Sequence, residues 1–328
     1  MAKARKTQIS LEATPYYHCV TRCVRRSFLC GVDSYSGQSY EHRRQWVEDR
    51  LYKLAKVFAI ELCAFSVMSN HTHLVLHVNR KQAMNWDRDT VIARWHSLYA
   101  GNYVSQKYSV GAELTDLENK LLDQHVQIWR ERLHDLSWFM RNLNEYIARE
   151  ANREDQCTGR FWESRFKSQA LLDDKALISC MAYVDLNPVR AKMAATPEAS
   201  DHTSIQLRIH AALQSKHPTQ AQQLAPFLGN PSKDIHDGLH FKLEDYLNLV
   251  DWTGRIIRSD KRGALQERQP PILQRLSITP KQWTTLTQGF EKQFHQFVGK
   301  VENVKEIACM MGYQRIRGIG ACRQLFST

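Results

Sequence analysis

The chain has 328 residues, 43% of them hydrophobic and 24% charged, the make-up of a globular chain long enough for one large domain or two ordinary ones. It holds no run of about 18 apolar residues, which argues against a membrane span. Its start, MAKARKTQISLEATP, lacks the apolar core of a secretory signal, so the expected compartment is the cytoplasm. A net charge of +11 and a pI near 9.3 favour a polyanionic partner, nucleic acid first, with a basic but otherwise ordinary enzyme as the plainer alternative. The eight cysteines form no C-x-x-C pair and no zinc-finger spacing, so they are expected to be packed thiols.

Residues 1–13 read as a loose basic arm. Tyr16 to Arg22, YYHCVTR, alternates as a strand and runs into Cys23-Val24-Arg25-Arg26. Arg22, Arg25 and Arg26 are candidates for DNA phosphate contacts, although a solvated strand end reads equally well. Residues 40–58 predict a helix with Val47, Leu51, Leu54 and Phe58 on its buried stripe and Trp46 beside it.

Residues 65–78, FSVMSNHTHLVLHV, follow as a strand, a turn at Ser69 and Asn70, and a second strand. Side chains alternate faces along a strand, so His71 and His73 share one side, while Thr72, Leu74, Leu76 and Val78 take the other. Two imidazoles two residues apart on a rigid strand are a start for a divalent-metal site. As a bare pattern, His-x-His binds nothing more often than not.

Residues 80–134 have the character of an insertion, with helices expected near 88–106 and 115–133 and a turn around Gly111. Trp86, Trp95 and Trp129 are read as core before base-stacking platforms. Residues 135–152 predict a helix capped by Asp135, with Leu136, Phe139, Met140, Leu143 and Ile147 on one face. Residues 160–171 predict a basic, aromatic strand whose Arg160, Arg165 and Lys167 suit backbone phosphates. A further helix is capped at Asp173 or Asp174 and buries Leu177, Cys180, Met181 and Val184. On it Tyr183 and Asn187 lie four residues apart and project together, and Pro188 marks its end or a kink. Taken alone, a helical tyrosine is packing.

Three segments change that reading: Met68-Ser69-Asn70-His71-Thr72-His73-Leu74, Arg160-Phe161-Trp162-Glu163-Ser164-Arg165-Phe166, and Tyr183-Val184-Asp185-Leu186-Asn187-Pro188-Val189-Arg190. In order and spacing, residues 15–195 resemble the HUH-type single-tyrosine transposases, most closely their REP-associated branch. The resemblance implies a divalent metal, Mg²⁺ or Mn²⁺, on His71 and His73, with Asn187 at the position of a further ligand that is often Gln in relatives. It implies Tyr183 as nucleophile, and Arg22, Arg25, Arg26, Arg160, Arg165, Lys167 and Arg190 as the DNA-facing basic residues. His77 points to the metal face, but the family pattern gives it no role. Implied partners are single-stranded or hairpin DNA at repeat elements, without a membrane, in a bacterial cell at the nucleoid; relatives occur as monomers and as homodimers that share active sites.

The expected fold is α+β: a ferredoxin-like antiparallel sheet of about four strands in βαββαβ order, helices on one face, and a mainly helical C-terminal part. The expected division is a catalytic domain at 1–195, carrying the insertion at 80–134, and a helical region at 196–328. In that region helical patterns lie near 240–258 and 279–300. Ala308 and Gly312, followed by Arg315 and Arg317, have a weak helix-turn-helix spacing, against which stands a plain helical subdomain. Three activities fit these residues: nicking and rejoining of single-stranded DNA through Tyr183, metal-dependent phosphodiester hydrolysis by water, and non-catalytic hairpin binding.

Overall fold

The computed structural model describes residues 8–24, 29–33, 36–214, 220–229, 238–257 and 269–326; Arg25 and Arg26 lie outside the described residues. The chain runs β1 (Tyr16–Arg22), α1 (Arg43–Val57), β2 (Ile60–Val67), β3 (His71–Val78), α2 (Arg80–Asn85), α3 (Arg88–His96), α4 (Tyr103–Ser109), α5 (Asp116–Leu133) and α6 (Leu136–Glu154). It continues with β4 (Lys167–Leu171), α7 (Asp174–Asp185), α8 (Asn187–Arg190), α9 (Ser204–Leu213), α10 (Leu243–Ile257) and α11 (Pro271–Arg275). Last come α12 (Pro280–Gln293), β5 (Phe297–Val298), α13 (Val301–Met310) and α14 (Ile319–Phe326).

The described strands form one sheet in the order β2-β3-β1-β4-β5. β1 to β4 pair antiparallel in the expected α+β arrangement, with the insertion between β3 and α6. Two particulars differ from expectation. Residues 279–300 are not one helix: α12 stops at Gln293, Phe294 turns extended, and β5 then joins β4 in parallel. Helices also cover both faces of the sheet. The cause is the composition of β3, whose residues are buried on both sides instead of alternating. On the face of Leu74 and Leu76, Tyr52 of α1 meets Phe65 at 6.1 Å, and Asn144 of α6 donates to Thr21 Oγ1 at 3.3 Å. On the opposite face, Tyr183 of α7 and Phe290 of α12 pack over the histidines.

The second helix expected in the insertion is present as α5, but the first is divided between α3 and α4, and α2 precedes them. Gly101 divides the first expected helix because it sits at φ +76°, where a Cβ would press on His96 and Ser105. Those two side chains are themselves joined, His96 Nε2 to Ser105 Oγ, at 3.0 Å. Trp95 and Trp129 stack at 5.4 Å and are buried, so they are core. Half-buried Trp86 lies under the Arg94 guanidinium at 4.1 Å.

The strand expected over 160–171 is confined to Lys167–Leu171. Phe161 and Phe166 are buried while residues 163–165 are exposed, a spacing no strand alternation satisfies. Trp162 makes one bridge to Cys23 and donates its Nε1–H to Asn144 O at 2.8 Å. Six cysteines are buried; Cys157 and Cys309 are exposed, contrary to the expectation that all are packed. α13 and α14 are joined by residues 311–318, a longer link than the tight turn of a helix-turn-helix.

Gly101→Ala should destabilise the fold by about 1–3 kcal/mol in urea titration, since a side chain at positive φ adds backbone strain to the contact with His96. Gly111→Ala, at φ +75° with nothing near its Cβ, should cost less. Equal losses would show that the contact around Gly101 does not matter.

Candidate active site

Strand pairing builds the site from two chains of alternation. Arg22 sits opposite His71, Val20 opposite His73 and His18 opposite Val75, so His18 and Arg22 share the face of the two expected ligands. The His71 and His73 rings are 4.8 Å apart at 78°, and His18 stacks on His73 at 5.2 Å. α7 brings the tyrosine over this face. Asp173 caps it by accepting from Ala176 N at 2.8 Å, and the helix is buried from Lys175 to Asp185. The Tyr183 ring meets His73 edge-on at 5.6 Å and His18 at 6.2 Å.

Asn187 opens α8, after Leu186 leaves helical geometry. Its Oδ1 accepts from Arg190 Nη2 at 2.5 Å, and its buried Nδ2 has no hydrogen-bond partner. Arg190 is turned inward. Its guanidinium lies 4.0 Å over the Tyr183 ring, and Nη1 donates to Thr287 O at 2.7 Å.

Hydrogen bonds orient each histidine. His71 Nδ1 lies 2.6 Å from Asn70 Oδ1. His73 Nδ1 lies 3.0 Å from His18 Nε2, while His73 Nε2 is buried without a partner. His18 Nδ1 is 2.7 Å from Gln169 Oε1 on β4. His77 is engaged elsewhere, with Nδ1 2.9 Å from Glu61 Oε2 and its ring against Tyr16.

Burial, then the Arg22 and Arg190 charges, lowers the His71 pKa to about 4. Burial, then His18 and His71, holds His73 well below the usual imidazole range, and burial also lowers His18. These rings are neutral at pH 7, the form that binds metals. Burial pushes the Tyr183 phenol up, and the Arg190 charge opposes that push.

The histidine pair fits a divalent cation: both rings are neutral, and His73 offers an orphaned, buried Nε2. Asn187 does not fit as a third ligand here, because its ligand oxygen is held by Arg190 and its free amide end is a donor. No group of three or more His, Cys, Asp or Glu side chains suited to a metal occurs among the described residues.

The other expected basic residues lie at the periphery. Arg22, Arg160, Arg165 and Lys167 are exposed. Arg165 and Lys167 line a cleft of about 550 Å³ that reaches His18 and Phe294. Arg160 and Arg165 line a second of about 580 Å³ beside Trp162. His18, Gln169 and Phe290 are members of the site that the sequence reading missed. The alternation of YYHCVTR already set His18 and Arg22 on one side, but only the strand register shows that it is the side of His71 and His73.

Because folded His71 protonates near pH 4 and a free imidazole near 6.5, the unfolded chain takes up protons first as pH falls. Stability should therefore be highest above about pH 6.5 and decline toward pH 4. The urea midpoint should fall less over that window in His71→Gln than in the parent. An identical decline would mean that His71 is not a source of it.

No family model matches the chain, and no curated protein matches it. Among solved structures, the chain is similar to a REP-associated tyrosine transposase bound to a REP hairpin, with a TM-score of 0.38 and 12% identity over 70% of this chain and 100% of that one. No described helix is long and apolar enough to cross a membrane.

Proposed function

We propose that the chain is a DNA-processing enzyme that nicks and rejoins single-stranded or hairpin DNA at repeat sequences, in the manner of a transposase, through a 5′-phosphotyrosine on Tyr183. The observation that carries this reading is the convergence of Tyr183 on the neutral histidine pair, with ring centroids 5.6 Å from His73 and His73 4.8 Å from His71. A phenol set against two metal-ready imidazoles is an arrangement suited to nucleophilic attack on a phosphodiester. The net charge of +11 and the basic clefts at Arg160, Arg165 and Lys167 support a nucleic-acid partner. In this reading residues 1–195 carry the chemistry and residues 196–328 cover it.

His71 and His73 would hold Mg²⁺ or Mn²⁺, which when bound supplies Lewis-acid polarisation of the scissile phosphate. Tyr183 Oη attacks phosphorus, the bond to the 3′ oxygen breaks, and the phenol proton ends on that oxygen as a free 3′-OH. Rejoining is the reverse attack by a 3′-OH, so the bond energy is kept and no nucleotide is consumed. Arg190 holds the Tyr183 ring, and the free Nδ2–H of Asn187 suits a phosphate oxygen better than a cation. One observation favours a second reading. Tyr183 is only 6% exposed and its pKa is raised, as suits a tyrosine that positions while water attacks.

Incubation with a labelled hairpin oligonucleotide and Mn²⁺ should give an adduct that survives SDS and disappears with protease. Tyr183→Phe should lose the adduct and keep hairpin binding. An adduct on another residue would refute Tyr183 as nucleophile, and cleavage without any adduct would favour attack by water.

His71→Ala and His73→Ala should abolish cleavage, as should EDTA; activity that persists in both variants and in chelator would remove the metal from the reading. Hairpin affinity should fall at least about tenfold between about 50 and 200 mM salt as phosphate counterions are released. Equal affinity at the two salts would argue against phosphate contacts by Arg160, Arg165 and Lys167.

A further inference from the structure

We infer that His18 and Gln169 form a hydrogen-bond relay that sets the tautomer of His73 and leaves its Nε2 lone pair aimed at a divalent cation. The inference rests on the reading of His71 and His73 as a metal pair, and deepens it by naming the residues that prepare one ligand.

The direction of every bond follows from which atoms can donate. Gln169 Nε2 donates to the backbone carbonyl of Phe294 at 2.7 Å, so the end of the amide that faces His18 is its oxygen. An amide oxygen only accepts, so His18 Nδ1, 2.7 Å away, carries the proton. His18 has no exposed surface, and burial favours its neutral ring, whose other nitrogen must then accept. His73 Nδ1, 3.0 Å from His18 Nε2, is therefore the donor. A neutral His73 protonated at Nδ1 has its lone pair on Nε2, the very atom left buried without a partner. His71 is set the same way, because Asn70 Oδ1 accepts from its Nδ1. Both rings thus present Nε2.

His18 and Gln169 are positioning residues: neither is given to the substrate or the cation. The relay begins at a backbone carbonyl, so its anchor at Phe294 does not depend on that residue's side chain. It also ties a metal ligand on β3 to the segment between α12 and β5, far along the chain. Partners behind a metal-binding imidazole typically change metal affinity 10- to 100-fold when removed.

The test uses the full chain without metal, labelled with ¹⁵N in its histidines, followed by Mn²⁺ titration read by electron paramagnetic resonance. The metal-free protein should show His73 with a protonated Nδ1 and a lone-pair Nε2. His18→Phe keeps ring volume and removes the acceptor; it should scramble the His73 tautomer and weaken Mn²⁺ binding about 10- to 100-fold. Gln169→Leu, the second variant should His18→Phe fail to fold, should act in the same direction. The double variant should lose no more than His18→Phe alone, because the two act in series. A His73 protonated at Nε2 in the parent, unchanged Mn²⁺ affinity in folded variants, or additive losses would each overturn the relay. The nicking reading fails separately: a parent that shows the stated tautomer and binds Mn²⁺ yet forms no adduct refutes that reading and leaves the relay in place.

Discussion

The structure depends on keeping two imidazoles, His18 and His73, dry on one face of a sheet beside the half-buried His71. A buried imidazole must be neutral, and each ring nitrogen needs a hydrogen bond or a ligand. His18 and His73 have no exposed surface, and the fold answers with Gln169, Asn70 and the mutual contact of the two rings. The one nitrogen left over, His73 Nε2, lies on the side where Tyr183 crosses. An orphaned buried nitrogen costs stability, and this one is set beside the Tyr183 ring.

Dryness is supplied from far along the chain. Phe290 of α12 packs on both His18 and Tyr183, the carbonyl of Phe294 holds Gln169, and the carbonyl of Thr287 holds Arg190. The buried carboxylate of Asp185, two residues before Asn187, accepts from Tyr246 of α10 and from Ser204 at the start of α9. Residues beyond 196 are therefore part of the site's wall. In a low-dielectric wall, fixed dipoles act more strongly on developing charge than they would in water.

Much of the sheet and of the site was legible in the sequence because strand and helix periods are local. His-Thr-His alternation and the Asp173 cap read correctly as geometry, whereas the four-residue step from Tyr183 to Asn187 did not, because α7 ends at Asp185 and Asn187 opens the next helix. What was not legible depended on register and on partners distant in sequence. His18 looked like any strand residue until β1 was set against β3. Asn187 looked like a ligand until Arg190, three residues on, took its oxygen. The break at Gly101 and the strand after α12 escaped because a glycine within a helical pattern and an apolar Phe-Val pair each fit more than one structure.

The way the sheet ends constrains how copies of this chain could meet. β2 is an outer strand, yet its outward groups are taken: Val67 N donates to His202 O, Phe65 N to Ser204 Oγ, and Leu62 O accepts from Ala225 N. At the other side β5 caps β4 with two residues, and Cys322 of α14 reaches the carbonyl of Phe297. A strand docking on the β2 border would have to displace these three bonds first. Joining two sheets edge to edge at β2 would therefore first undo the bonds by which His202, Ser204 and Ala225 are held to it.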